Sequence, residues 1–525
     1  MTREPHLPPA THSRPRNVGD VIADVARRWP HRRAIEVLGG PAVTYRTFDD
    51  RTTRLANALL SVASPGERIA AWLPTGVEYL EVYAAAAKAG LVLVPVHERF
   101  TTEEATYLLD DSQARVLIHG APMDERVAQL DTAGLARIVT PAAYEEFLSA
   151  GAATMPAGPA ADDLFLVAYT SGTTGFPKGA MVTHRAVLRG MRVTAMASRL
   201  VAYGTQAYAS SMSFVPTVTA QVLPHLALAG RVLLCGGWDP GRVVDAIDRH
   251  RATYVYVPTP GLADFAAAVV ASGPQRCPSL ATVLHAGSKA PPSALAAAAG
   301  ALGSRFVEGW GMTENSGFLL TATTAADMAP PGPSAEVLGS VGRPVPGAEI
   351  DVVGDDGASL PRDGTAVGGL WARSATLMRG YWRNDRATAA ALAAGWYATG
   401  DVGTIDPDGY VTVLDRRDDL ILSGGANIYP SELERVIAAM AGVREVAVVG
   451  VDDARWGQTP VAFVVTDGGV ALDETVVVAH CRRHLASYKK PSRVLFVDSL
   501  PRNAAQKVLR AALRAVAAVS DAAAG

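Results

Sequence analysis

A loop rich in glycine and hydroxyl side chains is the segment of this 525-residue sequence whose composition most directly suggests chemistry. It reads TSGTTGFPKG, residues 170–179, and follows the apolar run LFLVAY, which predicts a strand. Its glycines allow backbone N–H groups to turn towards an anion, four hydroxyls add donors, and Lys178 adds positive charge. Thr183 is the expected N-cap of a helix that follows. The segment therefore predicts a site for a polyphosphate.

Two other interpretations of this loop were compared with phosphate binding. A Walker A loop is excluded, because Lys178 is followed by Gly179 and the spacing of that motif is absent. A flexible Ser/Gly/Thr turn is the plainer alternative. The position between a predicted strand and a predicted helix favours phosphate binding over that turn.

Six segments, in order along the chain, resemble the motifs of the adenylate-forming superfamily, which includes acyl-CoA synthetases, peptide-synthetase adenylation domains and luciferases. The resemblance spans roughly residues 18–510 and is greatest to acid–CoA ligases. The segments are TSGTTGFPKG (170–179), WGMTE (310–314), WYATGD (396–401), DRRDDLI (415–421), SGGANIYP (423–430) and PRNAAQK (501–507) followed by Arg510.

The resemblance implies that ATP and an organic acid react to form an acyl-adenylate and pyrophosphate. A carboxylate is already a nucleophile, so the difficulty is the approach of one anion to another, and positioning and cations must supply the catalysis. The family pattern makes Lys507 the catalytic lysine, Glu314 the magnesium-linked carboxylate with Thr170 as a further metal contact, and Asp418 the hinge. Gly424 and Gly425 would border the channel for the thiol.

The nucleotide site implied by the resemblance is extensive. Trp310 would stack on adenine, Asp401 would accept hydrogen bonds from the ribose, and Arg416 would contact ribose or phosphate. The expected ATP-binding residues are Thr170, Ser171, Gly172, Thr173, Thr174, Gly175, Lys178, Gly287, Ser288, Gly309, Trp310, Gly311, Met312, Thr313, Asp401 and Arg416.

Each of these roles has a plainer structural alternative. Glu314 could be a surface or helix-capping residue, Trp310 a core residue, and Asp401 a turn residue. Lys507 could be a solvated lysine of a basic tail. The family motifs around all four residues favour the functional roles.

Four positions depart from the usual family pattern. Gln506 replaces the glycine before the lysine, and Ala426 replaces a glutamate beside the thiol channel, which bears on thiol transfer more than on adenylation. The acid-pocket segment SMSFV, residues 211–215, lacks the usual histidine. The strand end GSKAP, residues 287–291, places Lys289 in a loop beside the pocket.

The acid-binding residues are predicted to be Ser213, Phe214, Val215 and Lys289. Lys289 would pair with a polar or acidic substituent of the acid; the alternative is a lysine that reaches solvent or touches the nucleotide. Hydroxyl side chains in this segment favour a small polar or aromatic acid over a long aliphatic chain. The absence of aspartate from SMSFVPTVTA makes an α-amino acid a poorer candidate.

Several functions share the first half-reaction. An acid–CoA ligase is the leading interpretation, with ATP, Mg²⁺ and CoA as cofactors. The alternatives are transfer to the phosphopantetheine of an acyl carrier protein and transfer to an unusual nucleophile in specialised metabolism. A non-catalytic nucleotide-binding scaffold is disfavoured, because it should have lost charges that this chain retains: Lys178, Glu314, Asp401, Arg416 and Lys507.

The elements that must position these residues follow an alternation of short apolar runs and alanine-rich helices. Strands are predicted at 68–74, 91–96 and 231–237, and a helix at 78–90 that ends at Gly90. This pattern predicts parallel sheets covered by helices. From about residue 340, frequent Gly, Pro and Asp predict hairpins of an antiparallel or barrel-like region.

The expected fold is therefore α/β, with a large N-terminal domain of two α/β subdomains plus a distorted β-barrel and a small mobile α+β C-terminal domain. The predicted boundaries are a flexible tail at 1–17, the N-terminal domain for ATP and acid at 18–417, and a C-terminal lid domain at 418–525.

Composition excludes several classes of protein. Hydrophobic residues make up 49% and charged residues 19%, which excludes general disorder, and a net charge of −3 gives no overall attraction to nucleic acid or anionic membranes. The three cysteines are widely spaced and predict buried thiols. No secretory signal or membrane span is evident, so a cytoplasmic monomer or homodimer is expected.

Overall fold

Ten stretches of the chain are described by the computed structural model. They are residues 17–170, 177–273, 277–287, 290, 292–423, 426–453, 456–468, 472–486, 489–503 and 508–522. The predicted tail lies outside them except for Asn17. That residue belongs to the first helix, because its buried side chain caps the helix by accepting a hydrogen bond from the backbone of Asp20 at 2.9 Å.

The first part of the chain alternates strands and helices as predicted. Its elements are α1 (Val18–Arg28), β1 (Arg33–Val37), β2 (Ala42–Thr44), α2 (Tyr45–Leu60), β3 (Arg68–Trp72), α3 (Val77–Ala89), β4 (Val92–Pro95), α4 (Thr102–Ser112), β5 (Ala114–His119), α5 (Asp124–Val127), β6 (Arg137–Val139), α6 (Tyr144–Ala150), β7 (Leu164–Thr170), β8 (Lys178–Thr183) and α7 (His184–Ala197). As predicted, Gly90 ends α3 in a left-handed conformation, with φ of 69°.

The middle of the chain continues the same alternation. Its elements are β9 (Thr205–Tyr208), α8 (Val215–Thr217), α9 (Leu223–Ala227), β10 (Arg231–Leu234), α10 (Pro240–His250), β11 (Tyr254–Val257), α11 (Leu262–Ala271), β12 (Thr282–Ala286), α12 (Pro292–Leu302), β13 (Phe306–Gly311), β14 (Leu319–Ala322), α13 (Ala335–Gly339) and β15 (Arg343–Pro344). One π-helical turn, Val218–Val222, joins α8 to α9.

Short strands dominate the last part of the chain. Its elements are β16 (Ala348–Val353), β17 (Gly368–Ser374), α14 (Asp385–Ala391), β18 (Leu392–Ala393), β19 (Trp396–Ile405), β20 (Val411–Arg416), β21 (Ile421–Ser423), β22 (Ala426–Ile428), α15 (Pro430–Ala438), β23 (Val443–Asp453), β24 (Gly457–Thr466), α16 (Glu474–His484), β25 (Arg493–Phe496) and α17 (Arg510–Ala522).

These strands form four sheets, and the predicted fold class is confirmed. A six-stranded sheet has the order β6-β5-β3-β4-β7-β8, and a nine-stranded sheet has the order β15-β14-β13-β12-β11-β9-β10-β1-β2. Both are parallel except at their edges. A five-stranded antiparallel sheet, β16-β17-β19-β18 with β20 beside β19, stands where the barrel was predicted. The fourth sheet, β22-β21-β24-β23 with β25, belongs to the C-terminal part.

The cysteine and membrane predictions agree with the described residues. All three cysteines are buried and none forms a disulfide. Burial raises the pKa of the Cys235 and Cys481 thiols to about 11. Within the described residues, no group of three potential metal ligands is found, and no helix has the length and apolarity that crossing a bilayer requires.

Three buried histidines make the stability of the fold sensitive to mild acid. His97, His184 and His225 are at most 8% exposed, and burial lowers the pKa of each to about 4. Each binds fewer protons in the folded chain than in the unfolded chain between pH 4 and about 6.5. Their contribution to stability is therefore complete above that window and is lost as the pH falls through it.

We expect the apparent melting temperature to be nearly constant between pH 7 and 8 and to fall steadily from pH 6.5 to 4.5. Each histidine contributes a slope of about 1.4 kcal/mol per pH unit in that range. Differential scanning fluorimetry in constant-ionic-strength buffers measures the profile. In His184→Asn the slope should be shallower, whatever the melting temperature at pH 8. A melting temperature that rises between pH 6.5 and 5 would contradict the assignment.

Candidate active site

The predicted phosphate loop joins two antiparallel strands. Thr170, the last residue of β7, pairs in register with Lys178, the first residue of β8. Residues 171–176, and with them Ser171, Gly172, Thr173, Thr174 and Gly175, lie outside the described residues. Thr183 does cap α7, accepting a hydrogen bond from the backbone of Ala186 at 3.2 Å.

The expected strand–loop–helix arrangement is wrong in one respect. The segment from Lys178 to Thr183 forms strand β8 instead of leading directly into the helix, because it pairs along the whole of β7. The N-terminus of α7 is therefore a strand's length from the loop. The dipole of α7 is therefore not adjacent to the predicted loop.

The Tyr381 side chain contacts two charged residues, Glu314 and Lys178. Its hydroxyl donates a hydrogen bond to Oε1 of Glu314 at 3.1 Å, and the Lys178 Nζ lies 5.4 Å from the centroid of its ring. Burial raises the pKa of Tyr381, the Glu314 carboxylate raises it further, and nearby Arg416 opposes both. The tyrosine therefore remains a hydrogen-bond donor to the carboxylate.

The backbone fixes Tyr381 and Glu314 in these positions. Gly380 accepts a hydrogen bond from the backbone of Met181 at 2.9 Å, and Trp382 donates one to Gly179 at 2.7 Å, so the segment lies along β8. The Glu314 carbonyl accepts a hydrogen bond from the backbone of Met378 at 2.7 Å. The same stretch of chain thus positions both the tyrosine and the carboxylate next to the loop.

Trp310, Asp401 and Arg416 form a second cluster. The Trp310 indole N–H donates to one Asp401 carboxylate oxygen at 3.0 Å, and the Arg416 Nε lies 2.8 Å from the other. Arg416 also donates to the Thr399 carbonyl at 3.1 Å. Asp401 is only 4% exposed, so both of its oxygens are paired where little water reaches them.

Glycines allow the chain to come close at the ends of two neighbouring parallel strands. Ala286 in β12 pairs with Gly309 in β13. A Cβ at Gly311 would lie 2.4 Å from the Phe318 carbonyl oxygen, so only glycine fits there. Gly287 has φ of 100°, which also favours glycine. Two further predicted residues, Ser288 and Lys289, lie outside the described residues.

The turn after these strands carries Glu314. Met312 precedes a 3₁₀ turn that begins at Thr313, and the Met312 carbonyl accepts the backbone N–H groups of Asn315 and Gly317, both at 3.1 Å. This turn places Glu314 between the nine-stranded sheet and the segment that contains Tyr381.

A buried hydrogen-bonded pair joins β12 and β13 just before the same strand ends. His285 in β12 and Glu308 in β13 form a hydrogen-bonded pair through the Nδ1 of His285, whose Nε2 lies 2.8 Å from the Thr259 hydroxyl. Burial raises the pKa of Glu308, and attraction to His285 opposes that rise. Sequence analysis did not identify this pair, since its residues are distant along the chain.

The predicted acid segment follows β9. Ser213 is buried and its hydroxyl contacts that of Ser211 at 2.8 Å, the Phe214 ring packs edge-on against His97 at 6.3 Å, and Val215 begins α8. The Thr217 hydroxyl donates to backbone carbonyls, and so does that of Thr219. The hydroxyls that favoured a polar acid are therefore largely engaged within the protein.

A short turn connects the N-terminal and C-terminal sheets. Asp418 lies in the 3₁₀ turn Arg417–Asp419, between β20 and β21. Arg510 and Arg514 of α17 form ion pairs with Asp419 at 3.4 and 2.7 Å. The predicted hinge thus falls at the single turn that separates the two sheets.

Several predicted residues of the C-terminal part lie outside the described residues. These are Gly424, Gly425 and the catalytic candidate Lys507. The backbone of Arg502 pairs with that of Val508, which closes the loop containing the lysine. The position of Lys507 relative to the nucleotide site remains a prediction.

Two functional candidates were missed by sequence analysis: Tyr381 and His97. The Tyr397 hydroxyl lies 3.5 Å from that of Tyr381. An aromatic pair after glycine, Gly380-Tyr-Trp382, was the available signal, but nothing in its spacing indicates that it meets Glu314 across 67 residues. His97 carries no local signal.

Comparison with known proteins is consistent with this geometry. The AMP-binding enzyme family matches residues 22–382, and the AMP-binding enzyme C-terminal domain matches residues 432–507. The chain belongs to the AMP-binding enzyme family. It is an acid–CoA ligase, or a closely related AMP-forming acyl-adenylate ligase, as the sequence motifs predicted.

Relatives and solved structures match almost the whole chain. Feruloyl-CoA synthase of an Amycolatopsis species is 36% identical over 493 residues, which cover 93% of this chain and 96% of the relative. ATP-bound MatB from Rhodopseudomonas palustris superimposes with a TM-score of 0.85 at 27% identity, covering 95% and 99% of the two chains. Amide bond synthetase McbA from Marinactinospora thermotolerans gives 0.85 at 28% identity, with the same coverage.

Removing the Tyr381 hydroxyl tests whether its hydrogen bond to Glu314 matters for adenylation. Tyr381→Phe keeps the ring beside Lys178 but leaves the carboxylate without this donor. Hydrogen bonds to charged groups contribute about 1.5–3 kcal/mol, so we expect acid-dependent pyrophosphate release to slow about 10- to 100-fold.

Tyr397→Phe is the matched control, because it removes a neighbouring buried hydroxyl that contacts Tyr381 and not Glu314. A decrease of less than about threefold is expected in this variant, since a neutral hydrogen bond contributes roughly 0.5–1.5 kcal/mol at most and this contact is long. Equal losses in the two variants would contradict a specific role for the contact with Glu314.

Proposed function

We propose that this enzyme activates a small aromatic or polar-substituted carboxylic acid as its acyl-adenylate and then transfers the acyl group to the thiol of CoA. The main support for this proposal is that Asp401 binds both Trp310 and Arg416 beside the Tyr381–Glu314 pair. An aromatic face, a buried carboxylate and a guanidinium are the groups that adenine, ribose and phosphate require.

The nucleotide would lie along the ends of β12 and β13. Adenine would stack on Trp310, the ribose hydroxyls would donate to Asp401, and Arg416 would contact ribose or phosphate. The glycines at 309 and 311 let this strand end pack closely against the chain beside it, which fixes the position of Trp310 between them. The phosphates would extend towards the hairpin loop, where Lys178 and the loop donors neutralise their charge.

Magnesium is expected at the phosphate end of this site. The fit is favourable at Glu314, because Tyr381 donates to one carboxylate oxygen and no hydrogen bond or ion pair from the described residues reaches the other. Mg²⁺ keeps several waters and needs few protein oxygens, so Glu314 with the Thr170 hydroxyl would suffice. Bound there, the ion would neutralise charge on the phosphates.

The reaction balances without a general base. An oxygen of the acid attacks the α-phosphorus, the bond to the β-phosphate oxygen breaks, and pyrophosphate leaves. The thiol sulfur then attacks the acyl carbon and its proton passes to solvent. The bond between that carbon and the phosphate oxygen breaks, and AMP leaves. Lys507 would contact the carboxylate and α-phosphate oxygens in the first step as a compact positive charge.

Two domains would divide these steps. Residues 18–417 would bind ATP and acid, and residues 418–525 would form the lid that carries Lys507. Rotation about Asp418, in the turn between β20 and β21, would withdraw the lysine and bring residues 424–425 to the thiol channel.

Replacing Lys507 should separate the two half-reactions. Lys507→Ala is expected to slow pyrophosphate release about 10²- to 10³-fold, as loss of one transition-state contact does. Acyl-CoA formation from chemically prepared acyl-adenylate should stay within about twofold of the wild-type rate, because the lysine would have left the site by then. Equal loss in both assays would argue against the rotation.

The acid itself is proposed to be aromatic or to carry a polar substituent. Feruloyl-CoA synthase is the relative with 36% identity, and its name denotes an aromatic acid. The edge-on contact between Phe214 and His97 adds aromatic surface beside the predicted segment. Lys289 would pair with a polar or acidic substituent. Highest turnover on long fatty acids, together with unchanged activity in Lys289→Ala, would contradict this assignment.

A nucleophile other than CoA is the second candidate acceptor. Ala426 stands where the family often has glutamate beside the thiol channel, and the amide bond synthetase McbA has a closely similar fold. An amine or a carrier-protein pantetheine could therefore take the acyl group. These acceptors share the adenylation half with CoA and differ only in the second half.

The acceptor can be tested after an acid has been found by pyrophosphate release. We expect CoA to accelerate loss of the acyl-adenylate at least tenfold more than a primary amine or a pantetheinylated carrier protein, each at equal concentration, with products measured by mass spectrometry. Ala426→Glu should change the CoA-dependent step and leave pyrophosphate release unaltered. If the amide forms faster than the thioester, the acceptor is an amine and the proposal of CoA is wrong.

A further inference from the structure

Three buried polar atoms lie together behind the predicted acid segment without hydrogen-bond partners among the described residues. They are the Gln206 Oε1, the His225 Nε2 and the Tyr254 hydroxyl, on side chains that are at most 1% exposed. A buried polar atom without a partner is costly, so such a cluster calls for an occupant.

The three side chains share one face of the nine-stranded sheet. Gln206 in β9 pairs directly with Tyr254 in β11, so both point to the same side. The Gln206 amide donates to the Gln221 Oε1 at 3.4 Å, and the His225 ring lies 4.8 Å from that of Tyr254. Four neighbouring side chains therefore form one polar cluster, called the polar floor below: Gln206, Gln221, His225 and Tyr254.

The chemistry of the polar floor favours a hydrogen-bond donor. The His225 Nδ1 lies 2.6 Å from the Gln221 carbonyl oxygen, which can only accept, so Nδ1 carries the proton and Nε2 is an acceptor. Burial lowers the pKa of His225 to about 4, which keeps the ring neutral. With the Gln206 Oε1, two acceptors and one hydroxyl belong to neighbouring side chains. A hydroxyl group can donate to one of these acceptors and accept from Tyr254.

The polar floor continues directly from the predicted acid segment. The Thr217 and Tyr208 hydroxyls are 2.8 Å apart at the active-site end of β9, and four residues later Gln221 meets Gln206, two residues earlier in β9. Two strand residues correspond to about 7 Å, so the floor lies roughly one aromatic ring beyond the mouth of the segment. A π-helical turn, Val218–Val222, places Gln221 there.

We propose that the polar floor is the far end of the acid pocket and binds a hydroxyl group carried by the acid opposite its carboxylate. The assignment rests on the proposed acid activation and adds the position and chemistry of a substituent to it. The hydroxyl donates its single proton to the Gln206 Oε1 or to the His225 Nε2, and its oxygen accepts a hydrogen bond from Tyr254. An acid without the hydroxyl makes neither hydrogen bond, which gives the pocket its selectivity.

Matched acids that differ only by this hydroxyl provide the test. We would measure pyrophosphate release with benzoate and 4-hydroxybenzoate, and with cinnamate and 4-hydroxycinnamate, to sample two lengths. In the wild type, kcat/KM for the better hydroxylated acid should exceed that for its unsubstituted partner by at least tenfold. Tyr254→Phe and Gln206→Leu should each reduce that ratio about tenfold and leave turnover of the unsubstituted acid equal or higher.

Tyr45→Phe is the control for general loosening of this region. The Tyr45 hydroxyl is also buried and donates to the carbonyls of Leu226, in α9, and Gly230, so its loss disturbs the same segment away from the polar floor. The ratio between the paired acids should be unchanged in this variant, whatever its stability.

The remaining outcomes distinguish an incorrect assignment of the polar floor from an incorrect proposed function. Pyrophosphate release that is equal for both acids of each pair, with ratios unmoved by Tyr254→Phe, would overturn the polar floor as a substrate site and leave adenylation intact; a buried water would then satisfy these atoms. Absence of pyrophosphate release with every acid of a broad panel would overturn the proposed function and the pocket together.

Discussion

The buried carboxylate of Asp401 is the constraint around which the active-site end of this protein is organised. A carboxylate removed from water needs donors on both oxygens, and here one comes from the end of β13 and the other from the end of β20. Trp310 belongs to the nine-stranded sheet, whereas Asp401 and Arg416 pair in the five-stranded sheet. Satisfying one charge therefore joins two sheets, and Arg416 directly precedes the turn into the C-terminal part.

The tyrosine pair extends this arrangement towards the phosphate loop. Tyr381 contacts Glu314 through its hydroxyl and Lys178 through its ring, so one side chain lies between a negative and a positive group. Preorganised charges of this kind need no rearrangement when charge develops on a substrate, which is how electrostatic catalysis lowers a barrier. The buried His285–Glu308 pair joins β12 and β13 just before the strand ends that carry this site.

In the acid segment, a polar side chain is not always free to bind a ligand. Its serine and threonine residues suggested a polar pocket, but the Thr217 and Thr219 hydroxyls bind backbone carbonyls of their own helix. Three of the buried polar atoms that lack partners within the described residues lie deeper, on β9, β11 and α9. Residues that are 15 to 48 positions apart meet there, so no local pattern could have identified them.

The sequence by itself determined the family, the alternation of strands and helices, the α/β class and the enzyme activity, because motif order and apolar periodicity are properties of the chain. It correctly placed the N-cap at Thr183 and the end of α3 at Gly90, which depend on neighbouring residues. It misjudged the phosphate loop, since strand pairing between β7 and β8 is a tertiary contact. Only the folded structure decided which donors meet Asp401, that Tyr381 contacts Glu314, and which polar atoms remain buried without partners, because each depends on side chains brought together across sheets from distant parts of the chain.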